Sequence, residues 1–152
     1  MIQLRKQYLS LLVVMALAVP GHAIAQKDLH IDKVFEQYGK KRGVVMVQLT
    51  GEILRTYNFS FFKSIVIKND PGAVAFTRDC VAKDREEAKK IKEVVQDGEV
   101  TSIVLQLSSH GNENRLILYN ESAEERKEMT LIYIESSMDV EDIMSTILTK
   151  KE

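Results

Sequence analysis

The chain has 152 residues, with 21 basic against 22 acidic side chains and a formal net charge of −1 at neutral pH. That balance, with no basic cluster, argues against nucleic acid or an anionic bilayer as the main partner, since both are bound by concentrating positive charge against phosphates. Cys80 is the one cysteine, so an internal disulfide is excluded.

The first residues read as an export signal. Arg5 and Lys6 lead into the apolar stretch YLSLLVVMALAV, followed by Pro20, Gly21 and the small-residue pattern Ala23-Ile24-Ala25. This order of charge, apolar core and cleavage motif is that of a secretory signal peptide, with the cut between Ala25 and Gln26. The apolar run falls short of the roughly 20 residues that a membrane-spanning helix needs. Gln26 follows the cut where a lipoprotein would have cysteine, so no lipid anchor is expected. Nothing later is long and apolar enough to span a bilayer. Cleavage removes two basic residues and no acidic one, leaving residues 26–152 with a formal charge of −3. The expectation is one exported α+β domain, periplasmic or extracellular.

In DLHIDKVFEQYGKKRG, Ile31, Val34, Phe35 and Tyr38 recur at helical spacing, with Asp28 as a candidate cap. VVMVQL, residues 44–49, reads as a strand, EILRTYN as a short helical turn, and FFKSIVIKN, residues 61–69, as a second strand with Phe61, Ile65 and Ile67 on one face. Asp70-Pro71 predicts a helix start, with Ala73, Phe76 and Cys80 facing inward. A second helix is predicted after Asp84, through REEAKKIKEVVQDG. Its stripe is Ala88, Ile91 and Val95, Glu86 and Lys90 form an i, i+4 pair, and Gly98 ends it.

From Thr101 the period becomes two. SIVLQLSS, NRLILYNES and MTLIYIESS predict a three-stranded C-terminal meander, and a helix capped by Asp139 follows with Val140, Ile143, Met144 and Ile147 as its stripe. The pattern implies an α+β fold: an antiparallel or mixed sheet of about five strands with helices packed on one face.

Ser109-His110-Gly111 is the stretch closest to catalytic chemistry. An apolar strand ending in Ser-His-Gly is similar to the histidine corner of caspase-like cysteine peptidases, but no cysteine follows His110. Ser108 and Ser109 lack the glycine-flanked elbow of a serine nucleophile. Gly111 and Asn112 tolerate positive φ and apolar runs flank them, so HGNE reads as a hairpin connection. Cys80 reads as a small buried apolar residue. His30, His110 and Cys80 are too scattered to suggest a metal site. The crowded aromatic residues Tyr57, Phe59, Phe61 and Phe62 read as core, with a ligand patch as the functional alternative. No catalytic, cofactor-binding or metal residue is nominated, and no cofactor is expected.

FEQYGKKRGVVMVQLTGEIL, FKSIVIKND, AKDREEAKKIKEVVQDG and TLIYIES, together with the leader, resemble a family of small exported Bacteroidetes proteins known only as a domain of unknown function. The resemblance implies a Gram-negative host, an exported location and an α+β domain; it carries no activity or site residue. The resulting expectation is a non-catalytic envelope module binding a protein or small ligand, through one sheet face or the edge beside NRLILYNES. The alternative is a hydrolase centred on His110 with Ser108 or Ser109.

Overall fold

The computed structural model describes residues 29–122 and 128–149. The expected leader with its cut at Ala25, and the candidate cap Asp28, lie outside the described residues. In chain order the elements are α1 (Asp32–Tyr38), β1 (Val45–Gln48), α2 (Glu52–Thr56), β2 (Phe61–Lys68), α3 (Pro71–Arg85), β3 (Lys90–Gln96), β4 (Glu99–His110), β5 (Glu113–Glu121), β6 (Glu128–Ser136) and α4 (Val140–Leu148). All six strands join one sheet in the order β1-β2-β6-β5-β4-β3, and every neighbouring pair is antiparallel.

The α+β character expected from the pattern stands, with six strands in place of about five. The additional strand is β3, in the segment for which the Ala88-Ile91-Val95 spacing predicts a helix. Asp97 and Gly98 both take positive φ, 54° and 82°. Two successive positive φ values are the signature of a type I′ hairpin turn, for which Asp-Gly is a preferred pair. Gly98 is therefore a turn residue and not a helix cap, and Ile91, Val94 and Val95 supply β-branched strand positions. Arg85 pairs with Glu93, in place of the helical Glu86–Lys90 pair. The meander accordingly runs through four strands, from β3 to β6.

Helices cover both faces of the sheet, not one. The reason lies in β5 and β6, whose central residues are apolar on both sides. Ile117 and Tyr119 with Leu131 and Tyr133 face a core closed by α1 and α3, to which Val34, Phe35, Val74, Cys80 and Val81 contribute. Leu116 and Ile134 face the other way, against Phe59 and Ile143 of α4. A strand apolar on both sides has to be covered on both. The edge beside NRLILYNES does not exist as an edge: that segment is β5, paired on both sides by β4 and β6.

Local signals elsewhere act as their chemistry dictates. The Asp70 carboxylate accepts the Ala73 N–H at 3.0 Å, and Pro71 occupies the first turn of α3, where its missing N–H loses no bond. Asp84, expected to cap a following helix, is buried in the last turn of α3 and holds the start of α1 instead.

Candidate functional site

His110 sits at the tip of the β4–β5 hairpin. It pairs in register with Glu113 across Gly111-Asn112, and Gly111 has φ +58°. A bulge separates Leu107 from His110, so Ser108 and Ser109 leave the regular ladder. All three side chains are exposed. Ser109 Oγ lies 3.5 Å from Asn114 Oδ1, while the His110 imidazole has no hydrogen-bond or ion-pair partner among the described residues. The hydrolase alternative requires a serine oxygen on one imidazole nitrogen and a carboxylate on the other. That arrangement is not assembled around His110 here; the segment is a hairpin turn.

Cys80 is buried at 4% exposure, and burial, reinforced by the Asp84 carboxylate, pushes its thiol pKa up. Cys80 packs as a small apolar residue in the core under α1 and α3. Among the described residues no group of three or more His, Cys, Asp or Glu side chains converges as metal ligands.

Two polar clusters mark the α1/α3 face. Arg115 and Glu135 face each other across β5 and β6 at 4% and 7% exposure, and the Tyr133 hydroxyl bridges them. Arg115 Nε donates to the Tyr133 oxygen at 2.9 Å, and Tyr133 in turn donates to Glu135. At the opposite end, Tyr119 donates to Glu121, which also receives both arms of the Arg78 fork from α3. Burial, followed by the bond to Glu135 or Glu121, raises the pKa of both phenols well above the usual tyrosine range. These donor–acceptor sets pin the two ends of the core. An Arg inside NRLILY and a Glu inside LIYIES, each at an inward strand position, were their sequence-level signal.

The α4 face is different because its cover is narrow. Nine residues make α4 about 14 Å long, whereas six strands at roughly 4.8 Å spacing span about 24 Å from the first to the last. The helix is seated on the middle of the sheet through Ile143. It is flanked by two depressions. On the β1–β2 side, Leu49, Ile53, Tyr57, Phe59, Phe62 and Ile147 line an apolar pocket of about 310 Å³, where Phe59 stacks on both Tyr57 and Phe62. Of the four crowded aromatic residues, Phe61 alone turns to the other face, edge-on to Tyr133.

On the β3–β4 side lies a cleft of about 660 Å³. Val104 and Gln106 form its floor, Lys90 and Lys92 one wall, and Val140, Met144 and Leu148 of α4 the other. Glu141 and Ser145 also line it. Its volume falls in the range of small-molecule sites, which pair apolar walls with a few polar groups. Reading residues 85–98 as a helix hid this cleft, since only a strand register brings Lys90 opposite Gln106 and Lys92 opposite Val104.

The molecule is thus an α+β protein built on a six-stranded antiparallel sheet, with a cleft of about 660 Å³ between α4 and the β3–β4 edge hairpin. Its sequence matches the profile of a family of unknown function, DUF6108, over residues 18–147, and the chain belongs to that family. A search of curated proteins gives no match. No helix among the described residues is long and apolar enough to cross a membrane.

Proposed function

We propose that residues 1–25 are a cleaved signal peptide, and that residues 26–152 act as a single exported domain in the envelope of a Bacteroidetes host. Its work is non-catalytic binding, with a small ligand seated in the cleft between α4 and β3. The observation that carries this reading is the cleft itself: about 660 Å³ of concave space with an apolar row on one wall and two lysines on the other. The leader supports export through its ordered charge, apolar core and Ala-Ile-Ala motif. The unpartnered His110 imidazole favours binding over hydrolysis.

Native mass spectrometry of the protein recovered from its host's envelope fraction tests both parts. A chain beginning at Gln26 and carrying a small-molecule adduct is expected. Met144→Arg, which places a long cation across the cleft, should remove the adduct. A chain retaining residues 1–25 overturns export by cleavage, and the absence of any adduct in the unmodified protein overturns the small-ligand reading.

A further inference from the structure

We infer that the α4–β3 cleft takes a single-chain amphiphile with an anionic headgroup, a fatty acid being the simplest case. This rests on the reading of the cleft as a small-ligand site and adds the chemical class of the ligand. Lys90 and Lys92 stand two positions apart on one side of β3, roughly 7 Å from each other along the strand. Neither has an ion-pair partner among the described residues, although the nearby Arg85 is matched with Glu93. With Glu141 as the one carboxylate lining the cleft, its walls carry a net single positive charge in a chain that is net negative.

Lysines on an edge strand discourage pairing with other chains, and that role asks nothing of the surface opposite them. Here the opposite surface is specific. Val140, Met144 and Leu148 repeat at i, i+4, i+8 and form an apolar row roughly 12 Å long on one flank of α4. Val140 and Met144 are half-buried, packing against the Ile143 cluster while also lining the cleft, and Leu148 at the end of the row packs against neither core and is left 61% exposed. An apolar row beside two ammonium groups matches an acyl chain ending in an acid, and the lysine stems extend the apolar wall toward the headgroup.

The same residues argue against two other ligand classes. A nucleotide base would want an aromatic face, and none lines this cleft. An anionic bilayer would meet Asp139, Glu141 and Asp142 at the start of α4, whereas the apolar row lines a cleft shared with Lys90 and Lys92. The ligand is a monomer in solution, not a membrane surface.

Calorimetric titration of the protein as its host exports it, with dodecanoate below its micelle concentration, tests this. The expected result is one bound dodecanoate per chain, weakened about tenfold in the Lys90→Gln/Lys92→Gln double variant, as two partly exposed ion pairs predict. Leu148→Glu, at an exposed position, should also weaken it, and unchanged melting temperatures show that the variants remain folded. Dodecyl maltoside, with the same chain and a neutral head, should bind more weakly and be indifferent to the lysines. Equal affinity for the two amphiphiles, no effect of the lysine variants, or binding only to phosphatidylglycerol vesicles overturns the assignment. Failure of dodecanoate beside a native adduct overturns the amphiphile and keeps the site; failure of both overturns both.

Discussion

Asp84, at the end of α3, holds the first described residues of the chain: its two oxygens accept the His30 and Ile31 N–H groups at 2.8 and 2.9 Å. The His30 Nδ1 lies 2.9 Å from the same carboxylate. One buried side chain thereby satisfies backbone donors ahead of α1, which has no side-chain cap of its own. Truncation to Ala strands both donors. Asp84→Ala should destabilise the fold by about 3 kcal/mol, and Asp84→Asn, which retains one carbonyl oxygen, by less. Urea denaturation provides the comparison, and equal losses for the two variants would contradict this account.

The β3–β4 hairpin offers a test of pure backbone conformation. Gly98 holds φ +82°, and a Cβ there would meet nothing within 4 Å. Gly98→Ala should cost about 1 kcal/mol through conformation alone, while Gly98→Asn, better tolerated at positive φ, should cost less. Chemical denaturation of both variants reads the difference.

The buried Arg115–Tyr133–Glu135 set predicts non-additive mutations. Glu135→Leu leaves a guanidinium at 4% exposure facing an apolar group, and should cost about 4 kcal/mol. Replacing both charges, as Arg115→Met/Glu135→Leu, should recover most of that loss. A double-mutant cycle in urea measures the coupling, and simple additivity would show that the pair does not act as a unit.

Alkaline titration probes Tyr119 and Tyr133. Burial first, and the Glu121 or Glu135 carboxylate next, raise both phenols above the ordinary value of 10. A folded-state pKa raised above the unfolded one gives stability that is whole below about pH 10 and is lost as pH climbs through the folded value. Phenolate absorbance from these two residues should therefore appear late and together with loss of the circular dichroism of the sheet. Early ionisation in an intact fold would refute it.

Much of this fold was legible in the sequence because its signals are local. Asp70-Pro71 specified a helix start, alternation in LILY and LIYI specified strands, and the spacing around Ile143 specified α4. What misled was residues 85–98, where three apolar positions happen to fit a helical stripe as well as a strand. Asp97-Gly98 was the discriminating pair, since its two positive φ values suit an I′ turn. The two-sided cover was also readable, from the apolar residues on both faces of β5 and β6. The cleft was not, because its walls come from segments some 50 residues apart that meet only through the β3–β4 register. Likewise, nothing near Asp84 in sequence reveals that its partners are His30 and Ile31.

The pairing of β2 with β6 bears on how the protein reaches this state. Residues 61–68 find their second neighbour only in residues 128–136, so the hairpin of β1 and β2 waits for almost the entire chain before it joins the rest of the sheet. The β3–β6 meander, by contrast, can zip from its Asp97-Gly98 and Gly111-Asn112 turns without a long loop to close. Folding should accordingly proceed from the C-terminal half, with its rate set by docking of the N-terminal hairpin, since distant contacts pay loop-closure entropy before they return anything. A chain stopped short of β6 would leave Ile65 and Ile67 without their β6 partners Leu131 and Met129, a sticky intermediate of the kind that chaperones exist to hold.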